Sequence, residues 1–324
     1  MENFKQQLKN IFTSYWHFLA IQNACKSNIF DEIDAQKHTF LSLIKKLNLA
    51  EKPLFYLLSF LEEQNYIVIK NGIYFLEEKG QLLTENHPET LKNACLLWGN
   101  EHLVSWQNLD FTLKTAQSSF EYIYQKSFFE YLKDKPEKLK NYHLAMCEYA
   151  REDYKSIAKK IDFSAHKTIA DIGGGLGVLL QNIAEKNPET YCILFDLPEV
   201  LSLYEHKAQR NFDVIEGSFF EKLPFKTDAI ILSKVLHDWN DDNCGLILQN
   251  CKNALKKNGV IYLIENLQND TKTHLLSLNM LLMCQSFERT YQEYATLLAK
   301  INFKITATEK LNDLQTILIC KNDL

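Results

Sequence analysis

The 324-residue chain lacks the features that would tie it to a membrane, a nucleic acid or an oxidising compartment. No apolar run approaches the length a bilayer demands, and Met1-Glu-Asn-Phe-Lys-Gln-Gln7 has no signal-peptide layout. There is no excess of basic residues: 36 Lys and Arg face 41 Asp and Glu, a net charge of -5, which gives no electrostatic case for nucleic acid or an anionic lipid surface. The eight cysteines form no C-x-x-C pair and have no histidines at metal-ligand spacing, so neither a metal site nor a disulfide framework is expected. Reduced, buried thiols in a cytoplasmic protein are the expectation. Internal repeats and low-complexity segments are also missing. What remains is an ordinary globular composition, 46% hydrophobic and 24% charged, long enough for one large or two medium domains.

The N-terminal part reads as helices. Ile11, Phe12, Tyr15, Trp16, Phe18, Leu19 and Ile21 make an apolar surface broader than one helical stripe, which needs burial on more than one side. Leu41 to Leu47 and Leu54 to Gln64 follow as helices, and Tyr66 to Ile69 and Ile73 to Leu76 flank Asn71-Gly72, a hairpin signal. Helix, turn, helix, hairpin is a winged-helix order. The helix that would read DNA carries Phe55, Tyr56, Leu57, Leu58, Phe60, Leu61, Glu62 and Glu63, with Lys52 before it as its only cation. A phosphate backbone would repel such a helix, so a structural or dimerising role is expected. Residues 88 to 160 are rich in aromatics, show no strand pattern and read as helices, ending in a longer one from Leu139 to Ile161.

From Thr168 the pattern changes to strands alternating with helices. Strands are expected at Thr168 to Ile172, Thr190 to Phe195, Asp213 to Glu216, Asp228 to Ser233 and Val260 to Ile264. Helices are expected at Val178 to Ala184, near Val200 to Ala208, and at Asp242 to Leu255. That alternation predicts an α/β, Rossmann-like doubly wound sheet behind the N-terminal, mostly helical winged-helix domain. The domains are placed at 1–90 and 91–324, with the Rossmann core starting near residue 160.

The first strand runs into Asp171-Ile-Gly-Gly-Gly-Leu-Gly177. Glycines at 173, 175 and 177 admit positive φ and let a ligand approach the backbone. The third arrives one residue earlier than in the dinucleotide fingerprint G-x-G-x-x-G, and Asp171 precedes them. A carboxylate there disfavours phosphates and favours a cationic ligand. An NAD-dependent dehydrogenase is disfavoured accordingly.

In an open parallel sheet ligands bind beyond the carboxyl ends of the strands. The rule gathers the glycine turn, Asp196, Ser218-Phe219, Ser233 to Asp238 and Glu265. Asp196 at a strand end suits a ribose diol, in competition with a helix N-cap role. His237 has an ordinary pKa of about 6.5, near enough to neutrality to take a hydroxyl proton, and a phenol at about 10 yields its proton more readily than an aliphatic alcohol. Glu265 at the neighbouring strand end can orient the imidazole.

These segments resemble the class I S-adenosylmethionine-dependent O-methyltransferases with an N-terminal dimerising winged helix, in the branch acting on small aromatic secondary metabolites. The matches are Asp171 to Gly177, Phe195-Asp-Leu-Pro198, Gly217-Ser-Phe-Phe220, Val235-Leu-His-Asp-Trp-Asn-Asp241, Leu263-Ile-Glu265 and Glu288-Arg-Thr290, in the family's order and spacing. The resemblance implies S-adenosyl-L-methionine as cofactor and S-adenosyl-L-homocysteine as product. Asp171, Gly173 and Gly175 would meet its methionine part, Asp196 with Leu197 its ribose, and Ser218 and Phe219 its adenine, while Ser233 faces it. His237 matches the general base, and Glu265 and Glu288 the acids that flank it. Met146, Asn279, Met280 and Met283 match positions lining the acceptor pocket. Two departures stand out: Ser218 replaces the usual Asp, and Gln285-Ser-Phe287 replaces a segment that usually carries Gly. An aromatic small-molecule acceptor and a homodimer through the N-terminal domain are implied. Alternatives within the fold are C- or N-methylation or a non-methylating use of the cofactor. A winged-helix regulator sensing the cofactor is a further alternative, opposed by the acidic helix.

Overall fold

The computed structural model describes residues 2–203, 212–268 and 274–323. The chain divides into two compact units, residues 1–103 with 144–148, and residues 104–143 with 149–324.

The first unit is mostly helical. Helices Glu2–Lys26, Ile29–Ala35, Phe40–Leu47 and Glu51–Glu63 precede a hairpin of β1 (Ile67–Lys70) and β2 (Ile73–Leu76). Asn71 and Gly72, at φ 53° and 74°, supply the two left-handed residues of the tight turn. Thr39 and Ser42 form a reciprocal capping box that starts the third helix, and left-handed Asn48 ends it. Ala24, Phe30, Leu43, Leu58, Leu61 and Ile67 close the core. Only the end of the long first helix enters that core. Phe4, Leu8, Ile11, Phe12, Tyr15 and Trp16 are each 51–69% exposed. Phe55 and Tyr56 of Glu51–Glu63 are exposed as well.

The second unit holds a seven-stranded sheet ordered β5-β4-β3-β6-β7-β9-β8. Its strands are β3 (Thr168–Ile172), β4 (Tyr191–Asp196), β5 (Phe212–Glu216), β6 (Thr227–Ser233), β7 (Leu255–Asn266), β8 (Phe303–Lys310) and β9 (Gln315–Asn322). The first five are parallel, and β9 runs antiparallel between β7 and β8. Apolar clusters cover both faces. The sequence pattern predicts five strands and misses the last two. In β8 an exposed, polar surface dilutes the alternation that marks a strand. The long helix expected from Leu139 to Ile161 ends at Asp153, and a separate turn runs over Ile157–Lys160. Near Val200 the helix is Pro198–Leu201, and the part expected over Tyr204 to Ala208 lies outside the described residues.

Strand order reverses between β3 and β6, because β3 leads to β4 and β5 on one side while β6 starts the other. The crevice beyond the carboxyl ends of these two strands is therefore the place for a ligand. Asp171 is the penultimate residue of β3, and Ser233 is the last of β6.

Candidate active site

The turn after β3 is built by steric demand. Gly173, Gly175 and Gly177 have φ of 71°, 58° and 77°, where other residues are strained. Gly174 is required for a different reason: a Cβ there would stand 2.6 Å from both Asp171 Oδ2 and Leu194 Cδ1. The sequence reading passed over Gly174, although the unbroken Gly-Gly-Gly run was the available signal. Gly177 caps helix Val178–Ala184.

Two carboxylates sit beside this turn with too little to satisfy them. Asp171 is buried, its Oδ2 has no hydrogen-bond partner among the described residues, and burial together with the nearby Asp196 pushes its pKa up to about 7. Asp196 accepts the Gly175 N–H at 2.8 Å and the Leu197 N–H at 2.7 Å; burial outweighs these bonds and raises it to about 6. A dry pair of acids beside an open glycine turn calls for cationic and hydroxyl groups, which S-adenosylmethionine carries in its ammonium, sulfonium and ribose. The residues present thus fit that cofactor.

The strand ends beyond β5 and β6 complete the crevice. Phe219 approaches within 3.5 Å of the point where a Cβ on Gly173 would stand, so its ring packs on the turn. It meets Phe220 and Trp239 edge-on, and Trp239 stacks on Phe129 at 5.6 Å. Ser218 Oγ accepts the Phe220 N–H at 3.2 Å and shapes its own loop. Ser233 Oγ lies 2.7 Å from the Tyr154 hydroxyl.

His237 stands on the short 3-10 turn Leu236–Asp238 that follows β6. Its Nδ1 lies 2.9 Å from Glu288 Oε1, which also accepts the Asn266 side-chain amide at 3.2 Å. Glu265 was expected to orient the ring. It holds the backbone instead, accepting the Leu236 N–H at 3.1 Å, and the ring's hydrogen-bonded partner is Glu288. Burial works to lower the pKa of His237, but the charges of Glu288, Asp238 and Glu265 outweigh it and hold the imidazole at about 10. Burial lifts Glu265 to about 8 against the pull of His237. One oxygen each of Glu265 and Glu288 has no partner among the described residues. Donor atoms of His237, Glu265 and Glu288 fall within 4.8 Å of one another, a group that can also hold a metal ion.

Arg289 fixes this turn in place and was not singled out from sequence. It is 1% exposed and donates to the carbonyls of Leu236 at 2.8 Å and Trp239 at 2.7 Å, and to Asp241 at 2.9 Å. Its fork ties the two carbonyls of the turn together, each of which also accepts another donor: the Trp239 N–H at 3.2 Å on Leu236 O, and the Ser286 hydroxyl at 3.1 Å on Trp239 O. A rare arginine directly after Glu288 was the available signal, one of three in the chain.

The residues matched to the acceptor pocket are placed less tellingly. Asn279 Oδ1 accepts the Trp106 indole N–H at 2.9 Å, and Met280 is buried. Met283 is 1% exposed and packs with Phe120, Phe128, Leu132 and Leu139. Met146 falls in the segment 144–148, which belongs to the first unit.

Known proteins share this chain's sequence pattern and fold. An O-methyltransferase domain model matches residues 106–304. A phenazine O-methyltransferase of Lysobacter antibioticus is 28% identical over 309 residues, covering 92% of this chain and 90% of its own. The crystal structure of LaPhzM superposes with a TM-score of 0.92 at 26% identity, covering 98% of this chain and 99% of that one. The O-methyltransferase NcsB1 from neocarzinostatin biosynthesis, solved with S-adenosyl-L-homocysteine and 1,4-dihydroxy-2-naphthoic acid, has a TM-score of 0.79 at 25% identity, covering 94% of this chain and 96% of that one. With a glycine turn and acids suited to a sulfonium cofactor and a family match over more than half of the chain, the protein belongs to the S-adenosylmethionine-dependent O-methyltransferases.

Proposed function

We propose that the protein methylates a phenolic hydroxyl of a small aromatic molecule, with His237 as the general base. The observation that carries this reading is the buried pair His237 Nδ1 to Glu288 Oε1 at 2.9 Å. With Nδ1 engaged by a carboxylate, Nε2 is the nitrogen left to receive a proton. S-adenosylmethionine, when bound, supplies a methyl group on a positively charged sulfur. The protein's part is to bind and orient the reactants and to take the proton. An imidazole held at about 10 is matched to a phenol at about 10. At its ordinary value the transfer would run uphill by about 3.5 units, roughly 5 kcal/mol. Alignment of the two reactants supplies most of the acceleration, and proton removal a further factor of about 10² to 10⁴. The phenazine O-methyltransferase and NcsB1, the latter solved with a dihydroxynaphthoic acid, support a flat aromatic acceptor. A screen of phenolic acceptors with a labelled methyl donor, read by mass spectrometry, tests the reaction. His237→Ala should lower turnover by about 10² to 10⁴ while S-adenosylhomocysteine affinity is kept; full turnover in that variant would remove the base assignment.

The first unit serves as a dimerising winged helix in this proposal. Six large apolar side chains along one helix, Phe4 to Trp16, are exposed by 51–69%, more than an isolated surface tolerates without a partner. A second copy of the chain is the expected partner. A stable monomer at micromolar concentration in sedimentation would overturn it.

A further inference from the structure

Three backbone donors of the glycine turn are already engaged. The N–H of Gly173 donates to Phe195 O at 2.8 Å, that of Gly177 to Gly174 O at 3.0 Å, and that of Gly175 to the Asp196 carboxylate at 2.8 Å. The methionine part of the cofactor ends in both an ammonium and a carboxylate. Asp171, with a free buried oxygen, suits the ammonium; it repels the carboxylate, as does Asp196. Lys234, directly after the last residue of β6, is held by Asp153 at 3.0 Å. A side-chain donor that faces the turn, where the two acids repel an anion, suits the carboxylate.

His143 is that donor. It projects from helix Pro136–Asp153, and its Nδ1 stands 3.7 Å from the point a Cβ on Gly175 would occupy, so the ring overlies the turn. The neighbouring Tyr142 ring fixes its tilt, edge-on at 5.2 Å and 85°. Among the described residues no hydrogen bond engages either ring nitrogen. We propose that His143 holds the carboxylate of the cofactor's methionine tail through an imidazole N–H, the counterpart of Asp171 on the ammonium. Burial lowers its pKa to about 4, so the ring is uncharged at neutral pH. An uncharged ring donates one N–H and is not drawn onto Asp171 or Asp196 as a cation would be.

The inference rests on the cofactor reading of the turn, and calorimetry separates the two. S-adenosylhomocysteine and 5′-methylthioadenosine share the adenosine, and only the first has the amino-acid tail. His143→Ala should weaken S-adenosylhomocysteine roughly 10- to 100-fold, the worth of a hydrogen bond to a charged group, and leave methylthioadenosine within about twofold. Retained methylthioadenosine binding also shows that the variant is folded. His143→Asn, which restores a neutral N–H donor, should recover most of the loss. Equal weakening of both ligands, or none for S-adenosylhomocysteine, overturns the assignment while leaving the cofactor site intact. Failure of the wild-type protein to bind S-adenosylhomocysteine at all overturns both.

Discussion

Replacing Asp171 by Asn should make the protein relatively more stable as pH rises. In the folded protein this carboxyl is pushed from its ordinary 3.8 to about 7, so folding favours its protonated form. The stability this preference contributes is whole below about pH 4 and is lost as pH climbs through 7. Linkage with those two values gives a loss of about 4 kcal/mol at pH 8 but only about 1.5 to 2 kcal/mol at pH 5. Asn does not titrate, so the stability of the variant relative to wild type should rise by about 2 to 3 kcal/mol between pH 5 and pH 8. At pH 5 the variant starts from a deficit, because Oδ2 sits where no partner is available and a buried unpaired amide there costs about 1 to 3 kcal/mol. Urea unfolding of both proteins at the two pH values, followed by fluorescence, measures the change; groups common to both cancel except Asp196, which no longer faces the Asp171 carboxylate in the variant. A stability gap that stays constant across that range would mean that Asp171 is ionised throughout, and the argument for a carboxylate waiting for a cation would fail. The same substitution should weaken S-adenosylhomocysteine binding, since the ammonium loses its counter-charge.

The other predictions concern the turn and the base. Gly174→Ala should cost about 1 to 3 kcal/mol of stability and most of the cofactor affinity, because its Cβ meets Asp171 and Leu194 at 2.6 Å. Gly245→Ala is the control: it lies in helix Asp241–Ala254 with open space around it, and should be neutral or stabilising by about 0.5 to 1 kcal/mol in the same melts. Arg289→Lys should lower kcat while sparing S-adenosylhomocysteine affinity, since a lysine cannot serve the carbonyls of Leu236 and Trp239 together; unchanged kcat would show that the His237 turn holds itself. Finally, kcat/KM for the acceptor should rise between pH 7 and pH 9, because an imidazole at about 10 becomes available as base only as pH increases. A profile flat above pH 7 would mean that the neighbouring acids do not hold the proton on His237.

Much of this protein was legible locally. Steric rules alone make Asp171 to Gly177 a strand, a turn and a helix, because only glycine accepts three positive φ values in five residues without strain. Asn71-Gly72 dictates the hairpin for the same reason, and the 2.0 and 3.6 periods separate strands from helices wherever one face is buried. The C-terminal strands β8 and β9 escaped because the pattern weakens at a sheet edge, and because an antiparallel strand inserted between β7 and β8 has no local signature.

Contacts between strand ends were another matter. Sequence brought His237, Glu265 and Glu288 into one neighbourhood, and only the tertiary structure decided that Glu288, 51 residues away, takes the ring while Glu265 takes the backbone beside it. It decided likewise that Arg289 clamps the turn, that His143 overlies Gly175, and that Asp171 is left dry. The physical reason is that periodicity and glycine sterics act along a few consecutive residues. Hydrogen-bond partnership and desolvation depend on how distant segments pack, and a pKa moves only when that packing removes water and sets one charge against another.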